Sequence, residues 1–307
     1  MKFLGEKCVH FKCKFFKTYI HGPQRHSKTI GRHKLSQDYQ RLISEVILRV
    51  ILHVAFLVTD ELEPFHRAIQ PEELWLYRFP KTPSYYTVET LYVTVILVPV
   101  IVFGLFYLIT NDFEDLVQSV LGMYLVFGLC GLITNIIKLA VGRPRPDFLQ
   151  RCFPNEDMLN FNNVLNTKTD CKGTDKDVFE GLKSFPSGHS SHAMVCLGYI
   201  GFYVAGKFRV FSSKGQTSSW HLLTVVAFFL WAILIAISRT ADYHHHWQDV
   251  SVGLILGLVV SSCVYFHAFP PLHHIYSHLP YSVHGHHDRI IDVETAMNSK
   301  STSLKLV

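Results

Sequence analysis

The chain has 307 residues, 49 % of them hydrophobic and 17 % charged, with a formal net charge of +5 and a mean hydropathy of +0.19. That length allows one or two domains, while the long apolar stretches exclude an ordinary soluble domain and indicate an integral membrane protein. The seven cysteines form no CxxC pair, which excludes a zinc ribbon or a dithiol redox motif, and no Asn-x-Ser/Thr acceptor occurs.

Residues 1–41 carry ten Lys/Arg against two acids, with four His. With no apolar core followed by a small-residue cleavage site, they read as a basic cytosolic tail beside a membrane surface. Cys8 and Cys13 are candidates for acylation. Leu42 to Val58 is the first span, with Glu45, Arg49 and His53 at steps of four on one stripe, where Glu45 and Arg49 are placed to pair. Asp60 to Pro83 is an acidic loop in which Trp75 and Tyr77 are candidates for the membrane interface. Val88 to Ile109 and Leu116 to Leu139 are the second and third spans, the third stopped by Gly142, Pro144 and Pro146.

Arg143 to Phe185 is a polar loop with seven basic and seven acidic residues, long enough to be functional in its own right. It holds Cys152 and Cys171, which have the chance to bridge if the loop faces an oxidising lumen. His189 to Ala205 is the fourth span, followed by a basic link, Gly206 to Ser219, that has no acid. Leu222 to Ile237 and Val250 to Phe269 are the fifth and sixth spans, and residues 270–307 form a polar tail expected to be mobile. The expected architecture is therefore all-α: a six-span domain over residues 42–269 between two cytosolic tails, 1–41 and 270–307. Even span number and the basic ends and 206–219 link place both termini in the cytosol. The 60–83 loop, the 143–185 loop and the 238–247 link then share the lumenal or extracellular face.

Three clusters fall at that face. Lys138 and Arg145 stand seven apart, two helical turns if the helix nearly persists, although snorkelling anchors would look the same. Pro186-Ser187-Gly188-His189 opens the fourth span. Proline suits the first helical turn, and a hydroxyl with free N–H groups at a positive helix end suits phosphate; a plain capped helix is the bland alternative. Arg239, His245 and Asp249 flank the start of the sixth span, where a carboxylate four residues on is spaced to hold one imidazole nitrogen. Their convergence gives two His, an Asp, three strong cations and a helix N-terminus at one place, which suits phosphoryl transfer.

Lys-x6-Arg-Pro, Pro-Ser-Gly-His and Ser-Arg-x5-His-x3-Asp, all complete here, resemble the signature of the type 2 phosphatidate phosphatase superfamily, the lipid phosphate phosphatases. The resemblance covers roughly residues 42–268. The stretch Gln70 to Tyr77, with Gly142-Arg-Pro-Arg-Pro-Asp-Phe and Arg151-Cys-Phe-Pro, is most similar to the diacylglycerol-pyrophosphate-phosphatase-like branch.

That resemblance implies a helical-bundle phosphatase core and a phosphoric monoester hydrolase acting on a membrane lipid phosphate such as phosphatidate, lysophosphatidate or diacylglycerol pyrophosphate. It implies His245 as nucleophile forming a phosphohistidine, Asp249 as its orienting acid, and His189 as general acid and then base. Lys138, Arg145, Ser187, Gly188 and Arg239 would bind the phosphoryl oxygens. No metal, other cofactor or nucleic acid is implied; self-association is left open, as is the choice between endoplasmic reticulum, another endomembrane and plasma membrane. Four other readings compete. Vanadium haloperoxidases share the site but are soluble. A zinc hydrolase using His189, His192, His245 or His246 would lack any HExxH. A non-catalytic scaffold or a transporter would lose the catalytic set or need broken helices at mid-membrane.

Overall fold

The computed structural model describes residues 28–154, 163–212 and 218–282, with side chains from Tyr39 onward. Residues 1–27 of the proposed 1–41 tail, Cys8 and Cys13 among them, and residues 283–307 lie outside the described set. Among the described residues the long helices are α1 (Lys28–Asp60), α2 (Val88–Thr110), α3 (Phe113–Val141), α6 (Gly188–Lys207), α7 (Ser219–Ala241) and α8 (Trp247–Ala268). Two short helices, α4 (Phe148–Cys152) and α5 (Asp175–Gly181), and a two-residue antiparallel pair, β1 (Ala68–Ile69) with β2 (Leu165–Asn166), complete the set together with a 3-10 turn at Pro71–Tyr77. The chain divides into two compact units at Val50. In the first, Arg49 and Glu45 pair at 2.6 Å, as their spacing predicts.

Among the described residues, five helices are long and apolar enough to cross a membrane: Tyr39–Asp60, Val88–Thr110, Phe113–Val141, Ser219–Ala241 and Trp247–Ala268. The all-α membrane class holds, but Gly188–Lys207, the expected fourth span, does not reach that composition. The physical reason is its position. Sixteen of its twenty residues are buried by the surrounding helices, so it has no need of an apolar outer face and tolerates Gly, Ser, His and Tyr. Lipid tails give helices little hydrophobic reason to associate, so close packing and hydrogen bonds do that work. Gly253 and Gly257 of α8 provide the close approach. A Cβ at Gly253 would lie 2.7 Å from the Ser187 carbonyl, and one at Gly257 would lie 2.6 Å from the Ser191 carbonyl. Thr134 donates to Ser191 at 3.0 Å and Asn135 to the Phe56 carbonyl at 3.1 Å. Such interhelical bonds contribute about 0.6 kcal/mol each.

The described residues of the loops at one end of the bundle pack more closely than their polarity suggests. Ile69, Leu74, Tyr77, Phe148, Leu149 and Leu182 form a second apolar cluster, and Cys152 and Cys171 are disulfide-bonded beside it. Tyr77, expected at a membrane interface, is instead buried in this cluster with its ring against His246, whereas Trp75 is exposed. At the opposite end of the bundle Lys207 meets Asp115 at 2.5 Å and donates to the His278 carbonyl at 2.6 Å, while Tyr203 donates to Asp115 at 2.7 Å. Residues up to Ser282 of the C-terminal segment thus include ordered turns tied to the end of α6.

Candidate active site

The ends of α3 and α7 and the starts of α6 and α8 meet at one end of the bundle. Helix α3 stops because Gly142 takes a left-handed conformation (φ 55°) and caps the Lys138 carbonyl; a side chain there would collide with the Phe65 carbonyl. Arg145 therefore reaches the site through a turn, its N–H bonded to the Gly181 carbonyl at 2.8 Å. The two-turn helical register that its spacing from Lys138 evokes is not the reason they converge. Similarly, Pro186 does not occupy the first helical position. Ser187 is the N-cap of α6, its hydroxyl accepting from the Ser190 N–H at 3.4 Å, and Pro186 precedes it. The Ser187 N–H donates to the Asp249 carbonyl at 2.9 Å, which docks the start of α6 onto α8.

A cavity of about 410 Å³ opens here, lined by Lys138, Arg145, Gly188, His189, Arg239 and His245 among others. The structure thus brings together six of the eight residues singled out from sequence. Asp249 lies behind His245 and Ser187 within the α6 cap, and neither lines the cavity. Gly188 faces the Lys138 ammonium, from which an added Cβ would be 3.0 Å away. His189 presents a buried Nε2 with no protein partner, and Arg145 a buried Nε likewise. Burial pushes the Arg145 guanidinium below its ordinary range, and Arg151 pushes it further. Buried cations crowded in this way call for an anion.

His245 is held differently from its spacing. Its Nδ1–H donates to the Ser184 carbonyl at 2.8 Å, and the Asp249 carboxylate stands 3.9 Å away. Nε2 is left as the free lone pair. Asp249, fully buried, takes Arg143 at 2.6 Å, the Ser184 hydroxyl at 2.5 Å and the His246 N–H at 3.1 Å. Its carboxylate therefore braces the Ser184 loop that grips the histidine, as well as acting through its charge. Burial lowers the His245 pKa to about 4, with Asp249 opposing the shift.

Several residues of the site were not singled out from sequence. Arg143 is one, although it sits in the Gly-Arg-Pro-Arg-Pro run. Asp242 is another: fully buried, it pairs with Arg239, accepts from the Tyr85 N–H at 3.3 Å and meets His244 Nδ1 at 3.1 Å. Burial would raise its pKa, but His244 and Arg239 outweigh that and lower it. Ser84, which accepts from Arg239 at 3.3 Å, comes from a loop with no sequence signal at all. Glu180 stands between Arg145 at 3.4 Å and Lys183 at 3.5 Å. Burial raises its pKa, but Arg145, Lys183 and Lys138 together outweigh that and hold it below the usual range. Among the described residues no group of three His, Cys, Asp or Glu is arranged to hold a metal ion.

Residues 119–270 match the family described as the PAP2 superfamily. The chain is 37 % identical to "Lipid phosphate phosphatase 2" of Arabidopsis thaliana over 251 residues, 82 % of either chain. It is 31 % identical to "Probable diacylglycerol pyrophosphate phosphatase 1" of Schizosaccharomyces pombe over 280 residues, 90 % of this chain and 98 % of that one. It is also 34 % identical to "Phospholipid phosphatase 2" of Homo sapiens over 175 residues, 53 % of this chain and 58 % of the other. No solved structure matches.

Proposed function

We infer, since this chain belongs to the PAP2 superfamily, that its cationic cavity dephosphorylates a lipid phosphate held in the membrane. The protein is a membrane-embedded lipid phosphate phosphatase, similar to those named for lipid phosphate and for diacylglycerol pyrophosphate. The observation that carries the reading is the meeting of two histidines with Lys138, Arg145 and Arg239 around one cavity.

In the proposed mechanism His245 Nε2 attacks phosphorus, the P–O bond to the lipid breaks, and His189 gives its proton to the departing alkoxide. His189 then takes a proton from water, whose oxygen attacks the phosphohistidine, and the P–N bond breaks to release phosphate. Lys138, Arg145, Arg239 and the Gly188 N–H stabilise the phosphoryl oxygens in both steps, with Ser187 fixing the helix end that presents Gly188. The protein's own cations serve where other phosphatases use a metal. Phosphate release from phosphatidate, lysophosphatidate and diacylglycerol pyrophosphate in detergent micelles tests this, with and without a chelator. Release that continues in chelator and is lost in His245→Ala supports the reading; strict dependence on magnesium refutes its metal-free part.

Glu180 occupies part of the cation set as a built-in competing anion. Glu180→Gln is expected to tighten inhibition by inorganic phosphate by about two- to fivefold, the size of a partly exposed ion pair. Because its pKa is depressed, the carboxylate competes at neutral pH and stops competing only as pH falls through that lowered value. An unchanged inhibition constant at pH 7 would remove Glu180 from the binding balance.

Both termini are proposed to be cytosolic and the site lumenal or extracellular, in the endoplasmic reticulum, another endomembrane or the plasma membrane. The basic link after α6 and the disulfide at the site end support that orientation, since disulfides persist in oxidising compartments. A cysteine introduced at the exposed Asn163 should react with an impermeant maleimide only after sealed vesicles of cytosol-out orientation are opened. Reaction without opening would invert the topology.

A further inference from the structure

His192 lies one helical turn beyond His189 on α6 and lines the same cavity, yet the hydrolysis needs nothing from it. Three residues on a helix advance about 4.5 Å along its axis and stay on one face. Its Nδ1–H donates to the Gly188 carbonyl at 2.7 Å, so the neutral ring offers Nε2 as a bare acceptor. That Nε2 is buried and has no protein partner, and the residue is 8 % exposed. The ring is wedged between Phe56 and Phe127, with centroids 5.6 and 4.9 Å away. The same cavity is also lined by the apolar Leu91 and Val95 of α2. The cavity that His192 lines thus has both the phosphoryl-binding cations and apolar side chains in its wall.

We propose that His192 is a specificity-determining residue that accepts a hydrogen bond from a hydroxyl on the lipid backbone close to the phosphoester. This rests on the phosphatase reading above. When His189 is hydrogen-bonded to the ester oxygen, the hydroxyl on the adjacent carbon stands about 3 to 4 Å from that oxygen, and a hydrogen bond of about 2.8 Å at each end lets the pair bridge two side chains one turn apart. The favoured substrate class is then a lipid phosphate monoester with a free hydroxyl next to the phosphorylated carbon, as in a lysophosphatidate. A substrate without that donor leaves a buried acceptor unpaired, and such a mismatch is costly.

The test compares kcat/KM in detergent micelles for a 1-acyl-glycerol 3-phosphate and for its 2-deoxy analogue with the same acyl chain. Wild type should favour the hydroxyl lipid roughly tenfold, the scale of one buried hydrogen bond. In His192→Phe, which keeps the ring but removes the acceptor, the ratio should fall to within about twofold of unity. In His192→Gln, whose amide oxygen can accept, the preference should return in part. A wild type that hydrolyses both lipids equally, or a His192→Phe that keeps the full preference, overturns this inference and leaves the phosphatase reading intact. A wild type that releases phosphate from neither overturns this inference, and overturns the phosphatase reading too if phosphatidate and diacylglycerol pyrophosphate are also left intact.

Discussion

His245→Ala is expected to lose turnover by at least about 10⁴-fold and to form no acid-labile phosphoenzyme, because the attacking atom is gone. His189→Ala should behave differently. With a lipid alkoxide, a poor leaving group, its phosphorylation step should slow by about 10²- to 10⁴-fold, the usual value of general acid catalysis. With a nitrophenyl ester, which leaves with little help, phosphoenzyme should still build up and then hydrolyse slowly for lack of a base. The geometry motivates this division. His245 has its Nδ1–H fixed by the Ser184 carbonyl and a free Nε2, whereas the buried Nε2 of His189 has no protein partner and awaits one from the substrate. Rapid-quench trapping with both substrates in both variants decides it. Phosphoenzyme in His245→Ala together with none in His189→Ala would reverse the roles.

Asp249→Asn should cost about 10²- to 10⁴-fold in kcat/KM, a range set by the loss of a histidine-orienting carboxylate in other hydrolases. Here the cost arises by two routes. The Arg143 guanidinium loses its buried ionic partner at 2.6 Å, and the Ser184 loop that holds His245 loses its brace. The pH profile separates this from general damage. Burial lowers the His245 pKa to about 4, so the neutral nucleophile persists on acidification and the wild-type acid limb of kcat/KM should fall near pH 4 rather than 6.5. The Asp249 carboxylate favours the imidazolium, so removing it should move that limb to still lower pH. A limb that moves up towards 6.5 would mean that the pocket has opened to water and that the loss is structural.

Much of the membrane architecture was legible along the chain because lipid imposes a one-dimensional rule: a segment facing hydrocarbon must be long and apolar. That rule marks α1, α2, α3, α7 and α8. It is weakest for α6, whose neighbours are helices instead of lipid, and there the Pro-Ser-Gly-His run located the helix start better than hydropathy did. The Gly253-x3-Gly257 spacing on α8 was also available to sequence reasoning as a signal of close approach, and it is what brings Asp249 up against the α6 cap.

The chemistry-bearing residue types were likewise written in three short motifs, since phosphoryl transfer needs a nucleophile, an acid and cations in any fold. What only the tertiary structure decided is how they are held. A carboxylate four residues beyond a histidine looks like its direct partner, but the Ser184 carbonyl, 61 residues away in sequence, takes the imidazole proton and leaves Asp249 to Arg143 and Ser184. Lys138 and Arg145 suggest a shared helix face, yet Gly142 ends that helix and the Gly181 carbonyl receives the turn. Ser84 and the open Nε2 of His192 have no local pattern, and the three-residue spacings of Asp242 from Arg239 and of Glu180 from Lys183 do not by themselves place either acid at the site, because a hydrogen bond is specified by distance in space and the sequence records only distance along the chain.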